Sequence, residues 1–357
     1  MNPLFQPLTI GNTLLNNRII MAPLTRCRAL SDHIPSPLMV EHYAQRASAG
    51  LIIAEATMVM ENNSAFWMEP GIYSPAQING WKEVTDAVHA KGGKIYLQIW
   101  HGGRACHPLL NDGNQPVSSS ATAILNSEVH TPQGMQPYTQ ARELTIEEIH
   151  EIVQGFKRAA INAKEAGFDG VEVHGANGYL IDQFLRDGAN KRTDQYGGSF
   201  ENRGRFLFEI LEAVCSVWGS HNVGVRISPL NSFNDMIDSK PISLYTWLAA
   251  ELNRFDLGYL HVMRSDFFAQ QNGDVMTPIR EAYKGTLIGN MGYTPQEASE
   301  AIEEGKVDAV AFGAYFIANP DFVERIQCGA PLNTPDTNTF YSPGSEGYTD
   351  YPFMDTK

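Results

Sequence analysis

Eight short apolar runs, alternating with longer stretches of helical period, constrain this chain more than any other feature. The runs are Arg18–Met21, Leu51–Met58, Lys94–His101, Gly170–His174, Val223–Ser228, Tyr259–Met263, Thr286–Asn290 and Ala309–Gly313. Sequences such as LIIAEATM and VAFG read as strands buried on both faces. The stretches between them carry helix signals. Thr145–Ala166 opens T-I-E-E, a capping-box-like start, and stops at Gly167. A second helix is expected from about Asn202 to Trp218. A third, Thr294–Glu304, opens T-P-Q-E with Pro295 at its first position and ends before Gly305.

The 357 residues would suit two domains of ~150 residues each or one large α/β barrel. Eight β-then-α units point to a (β/α)8 TIM barrel. A doubly wound sheet is the runner-up. It would want a glycine-rich turn after the first strand, and here that turn reads A-P-L-T-R. No composition shift marks a linker, so residues 1–357 are read as a single domain. The early PLTIGNTLLNN looks like a hairpin that could close the barrel bottom. Pro108–Tyr138, polar and rich in Pro and Ser, reads as a long functional loop or lid inside the third unit. The tail after Gly329 has no helical period.

Charge and cysteines exclude several classes of function. Lys plus Arg number 26 against 40 Asp plus Glu, a net charge of −14. That argues against nucleic acid or an anionic membrane as partner, though a local phosphate pocket stays open. Cys27, Cys106, Cys215 and Cys328 lie far apart with no C-x-x-C. This argues against a disulfide framework, a structural zinc or an iron–sulfur cluster, and no metal is expected. MNPLFQPLTIGN has no basic-then-apolar signal pattern, and no run of about 18 apolar residues occurs. A reducing cytoplasm is the expected location.

Barrel chemistry sits where strands end. Those ends carry Pro23-Leu24-Thr25, Ala56, Gln98 to His101, His174 to Tyr179, Arg226, Gly289 to Gly292 and Gly313. The set is poor in carboxylates. A hydrolytic metal site needs converging His or carboxylate ligands, and a retaining glycosidase needs two carboxylates ~5 Å apart. Glu55 and Glu172 lie in strands, but Asn290 stands at the seventh strand where a matching acid would be wanted. The segment GVEVHGANGYLIDQFL carries the most information. Gly175 and Gly178 permit a tight turn that lifts polar side chains upward. His174 and Asn177 can both donate to one oxygen, a pair suited to polarising a carbonyl and stabilising an enolate. Tyr179 carries a donatable proton. Alone, His174 would read as a satisfied strand-end histidine and Tyr179 as a packing aromatic. Clustered in this turn, they read as a site.

HGANGYLIDQFLRDGANKRTDQYGGSFENRGRF resembles the signature of the old yellow enzyme family of flavin-dependent ene-reductases. The likeness runs from NNRIIMAPLTRCRA to GYTDYP and is greatest to the N-ethylmaleimide reductase and 12-oxophytodienoate reductase branch. It implies an FMN-containing barrel that passes hydride from NADPH or NADH, via FMN, to an electron-poor C=C bond. Small acceptors are implied: enones, maleimides, nitro compounds or nitrate esters. A monomer or weak homodimer is expected. By the same resemblance, Thr25 would bond the flavin O4, beside Pro23 and Leu24. Ala56 and Gln98 would line the ring, and Arg226 would sit by N1 and O2. His174 and Asn177 would hold the acceptor's activating oxygen, and Tyr179 would protonate its α carbon. Phe66, Trp100 and Tyr351 would wall the substrate space. His101 and Arg104 are read as structural, and Cys27 as facing away from the flavin. Asn290, Met291, Gly292, Gly313 and Ala314 would form the phosphate end. The family has arginine where this chain has Ala314, so backbone amides and a helix N-terminus are expected to hold the phosphate less firmly. The alternative is a flavin- or ligand-binding barrel without ene-reductase turnover.

Overall fold

Each apolar run becomes one strand of a closed parallel barrel in the computed structural model, which describes residues 2–354. The strands are Ile19–Met21, Leu51–Met58, Ile95–Trp100, Gly170–Gly175, Val223–Ile227, Tyr259–Met263, Leu287–Asn290 and Ala309–Phe312. They are numbered first to eighth below. Each pairs with its neighbours in sequence, and the eighth returns to the first through Val310↔Ile19 and Ala311↔Ile20. That closure excludes the doubly wound sheet. All eight residues of the second strand are buried. Its register against the third strand shifts between Ala54 and Thr57, a local irregularity at the end that carries the site. Residue 1 and residues 355–357 of the expected domain lie outside the described residues.

The helix signals act as their chemistry demands. Ile146–Glu165 and Pro295–Glu303 both start with capping boxes, Thr145 with Glu148 and Thr294 with Glu297. Two orphan amides are satisfied at each start. Phe200–Trp218 begins two residues earlier than expected, because Ser199 accepts the Asn202 N–H at 3.3 Å.

The early hairpin pairs Leu8–Ile10 with Thr13–Leu15. Gly11 takes the left-handed φ of 55° at its turn, where a Cβ would collide with the His221 carbonyl. Ile10 and Leu15 pack against Ile20, Ile53, Tyr96 and Tyr259 inside the barrel, so the hairpin plugs one end of it.

The long third-unit loop holds more structure than its composition suggests. Glu128–Thr131 and Gly134–Pro137 form a hairpin, and Val117–Ser118 pairs with Arg142–Glu143. Strands this short show no readable alternation. The tail is held by arginines from the first βα loop. Arg28 donates to the carbonyls of Thr339, Phe340, Gly344 and Glu346, and Arg26 to those of Phe340 and Gly347.

Candidate active site

The fourth strand ends in a turn that presents three groups. Gly178 (φ 73°) makes it possible, since a Cβ there would come within 2.7 Å of Asn234 and Met236. His174 is buried, and its Nδ1 accepts the Ala176 N–H at 3.3 Å. A neutral ring accepting at Nδ1 carries its proton on Nε2. Burial, with help from the nearby Arg226 charge, lowers the His174 pKa well below its ordinary value, so the ring is neutral. Nε2 is then a hydrogen-bond donor with no partner among the described residues.

Asn177 is held from three sides. Its N–H donates to Ser228 Oγ at 2.8 Å, and its carbonyl accepts from Asn234 at 2.9 Å. Its Oδ1 accepts the Asn231 amide at 2.8 Å. With Oδ1 engaged, the NH₂ group is the free end, so Asn177 also offers a donor. Tyr179 is 6 % exposed, with its ring edge-on to Trp100 at 4.4 Å and to His174 at 5.1 Å. Burial pushes its phenol pKa well above the usual value, so the proton stays on.

Deeper in the barrel, neighbouring strands stack a polar layer. Gln98 donates to Glu172 Oε1 at 2.7 Å, and Glu172 Oε2 lies 2.9 Å from His261 Nδ1. Arg226 stands beside His174 and His261 in register. It is 6 % exposed, and its Nη2 donates to Asn290 Oδ1 at 2.8 Å. No carboxylate reaches salt-bridge distance among the described residues, and its Nε is buried without a partner. A buried guanidinium held by one neutral amide is short of an acceptor. Asn290 is itself held, since its own amide donates to the Ala311 carbonyl at 2.7 Å. It positions Arg226.

Arg226 lines a cavity of about 440 Å³ at the barrel mouth. Leu24, Asn290, Met291, Gly292, Gly313 and Ala314 line it too, so the structure brings these expected residues to one place. Met263, Phe267 and Tyr293 are among the further lining residues and were not expected from the sequence. Thr25 stands half-buried in the loop after the first strand, next to Leu24, and its hydroxyl bonds nothing among the described residues. Cys27 is buried.

An aromatic wall covers the mouth. Trp100, Tyr179, Ala56 and Ala65 cluster with Phe66, Tyr138 and Phe233. Phe66 and Trp100 both belong to this wall, with ring centroids 6.2 Å apart. Tyr351 does not. Its hydroxyl accepts the Asp336 N–H at 2.8 Å, and it touches neither of those rings. Tyr341, 55 % exposed, stacks on Phe66 at 5.8 Å instead. Arginine bonding to tail carbonyls sets that register, and no sequence period reports it. His101 and Arg104 do structural work: Arg104 donates to the carbonyls of Asn234 and Asp235 and to Thr122 Oγ1.

The chain is similar to known proteins along nearly all its length. The sequence profile of the NADH:flavin oxidoreductase / NADH oxidase family matches residues 3–333. A probable flavin mononucleotide-dependent alkene reductase of Leishmania infantum is 50 % identical, over 98 % of this chain and 97 % of that protein. The old yellow enzyme from Trypanosoma cruzi superposes with a TM-score of 0.96 at 45 % identity, covering 99 % of each chain. Morphinone reductase in complex with tetrahydroNAD gives 0.94 at 46 % identity, covering 99 % of this chain and 98 % of that one.

Proposed function

Because the chain belongs to the NADH:flavin oxidoreductase / NADH oxidase family, among its old yellow enzyme-like alkene reductases, we propose that the cavity beside Arg226 is its FMN site and the turn at His174–Tyr179 its acceptor site. The chain is an FMN-dependent ene-reductase that uses a reduced nicotinamide. Residues 1–357 are taken as one FMN-binding barrel domain.

Arg226 carries the reading. Its orphaned Nε and its charge, with no carboxylate at salt-bridge distance among the described residues, lie beside an open cavity and fit an electron-rich ring edge such as the flavin N1–C2=O2 region. The free Thr25 hydroxyl and the Gln98 Oε1, left available once its amide donates to Glu172, offer further contacts along the ring. Pro23, Leu24 and Ala56 give it apolar support. Bound FMN supplies a carrier that takes hydride from the nicotinamide and delivers it to an alkene carbon. The chain's own groups do the rest. His174 Nε2–H and the Asn177 amide draw charge onto the acceptor's oxygen. Tyr179 hands its proton to the α carbon. Trp100, Phe66 and Tyr341 favour flat, apolar, electron-poor acceptors: enones and maleimides first, with nitro compounds and nitrate esters as further classes. The reductant is NADPH or NADH, whose common nicotinamide end would share the acceptor's place. The four free thiols suit a reducing compartment such as the cytoplasm. A monomer or weak homodimer is proposed.

Arg226→Met tests this reading in two directions. FMN should bind roughly 10- to 150-fold more weakly in a fluorescence titration, the scale of a lost charged hydrogen bond. The flavin-free variant should be at least as stable as flavin-free wild type in urea, because an unpaired buried cation is gone. Unchanged FMN affinity would overturn the assignment.

The pH profile follows from the two shifts. His174, with its pKa lowered, stays neutral through the ordinary histidine range, and Tyr179, with its pKa raised, stays protonated through that same range. Stopped-flow rates for the enone-consuming half-reaction should therefore be flat across that window. A titration centred on the ordinary histidine value would contradict the neutral His174.

A further inference from the structure

We propose that Arg264, arriving from the sixth strand, supplies the phosphate-end cation that position 314 lacks. The inference rests on the FMN reading above and goes beyond it.

Arg264 follows the strand Tyr259–Met263 and reaches across to the loop after the seventh strand. Its Nε donates to the Met291 carbonyl and its Nη2 to the Gly292 carbonyl, both at 2.8 Å. Its guanidinium lies 3.8 Å from the centroid of the Tyr293 ring. Met291 and Gly292 both adopt left-handed backbone, at φ 82° and 70°. For Met291 that conformation is uphill and needs an outside hold, which the guanidinium fork provides.

The fork has a directional consequence. In a trans peptide the C=O and the following N–H point opposite ways. Drawing the carbonyls of Met291 and Gly292 toward Arg264 turns the N–H groups of Gly292 and Tyr293 away from it. Neither N–H donates to any group among the described residues. Successive free amides in such a turn form an anion-binding nest. Met291, Gly292 and Tyr293 all line the cavity that holds Arg226. The facing loop contributes Gly313 and Ala314, neither of which carries charge. Glu297 Oε2, which caps Thr294, lies 3.6 Å from Arg264 Nη2, and with the two side chains 47 % and 30 % exposed this ion pair is solvent-screened and offsets little of the charge. Arg264 thus acts twice on a phosphate monoester: it places positive charge beside the turn and aims the turn's amides.

A titration of flavin-stripped full-length protein with FMN and with riboflavin separates the phosphate from the ring. The readout is the ratio of the riboflavin Kd to the FMN Kd, by flavin fluorescence. Arg264→Gln can still hold carbonyls but carries no charge. It should lower the ratio about threefold or more, on the scale of a partly exposed charge acting through the turn rather than by direct contact, while riboflavin binding stays within about twofold. Ala314→Arg should raise the ratio more in the Arg264→Gln background than in wild type, because the two cations would serve one group. An unchanged ratio in Arg264→Gln, an equal loss of both flavins, or an equal Ala314→Arg gain in both backgrounds would each overturn the role. Wild type that binds riboflavin but shows no preference for FMN would sink this inference alone. Wild type that binds neither flavin would sink the FMN reading as well.

Discussion

Tyr179→Phe should slow the half-reaction that consumes an enone by about 10²–10⁴-fold, the usual contribution of a positioned general acid, and leave the NAD(P)H-consuming half-reaction near wild type. The substitution keeps the ring, and the ring is what packs edge-on against Trp100 and His174. Fold and pocket shape should therefore survive. Only the hydroxyl is lost, and its proton stays available at neutral pH because burial holds the phenol pKa high. Hydride transfer from the nicotinamide needs no proton from this position. Stopped-flow measurement of the two halves separates the outcomes. Equal slowing of both would refute a proton-donor role and point to a packing role instead.

Asp182→Ala should destabilise the protein by about 3–5 kcal/mol, because it strands a buried cation. Asp182 and Arg186 are both fully buried. Asp182 Oδ1 accepts from Arg186 Nε at 3.0 Å and from the Tyr245 hydroxyl at 2.7 Å, and Oδ2 accepts the Gly178 N–H at 2.9 Å. Arg186 goes on to the carbonyls of Asn231 and Ser228. Asn231 and Ser228 are the residues that fix Asn177. The pair is therefore the buttress of the donor turn. Set against a typical total of 5–15 kcal/mol, the loss is large. The double variant Asp182→Leu/Arg186→Met removes both charges and should recover most of the stability in urea unfolding. It should still reduce enones slowly, because Asn177 loses its supports. A single-variant loss below about 1 kcal/mol would contradict the buttress.

The barrel was readable because strands buried on both faces show as apolar runs, and because caps such as Thr145 with Glu148 announce helix starts. The turn around Gly178 was readable for a related reason: only a few residue types fit it. Other features depend on contacts that no local pattern records. Asn177 becomes a donor only because Asn231 occupies its oxygen. Asn290 lines the cavity and also holds Arg226 and the Ala311 carbonyl, a positioning role that no local pattern records. That Tyr341 rather than Tyr351 stacks on Phe66 has no sign in the sequence, because the tail has no period and its register is set by Arg26 and Arg28 gripping backbone carbonyls. Tyr138 reaches the aromatic wall from a loop whose two- to four-residue strands lack alternation. Nothing local marks Arg264 as a residue of the proposed phosphate end, since it reaches the loop after the next strand through two carbonyl groups.

The most direct test of the central claim is one anaerobic spectral titration of the purified protein. The FMN absorbance should bleach with stoichiometric NADPH or NADH. It should then return when a cyclic enone is added, with one saturated ketone formed per flavin. Bleaching that is reversed by dioxygen but by no electron-poor alkene would contradict ene-reduction at this site.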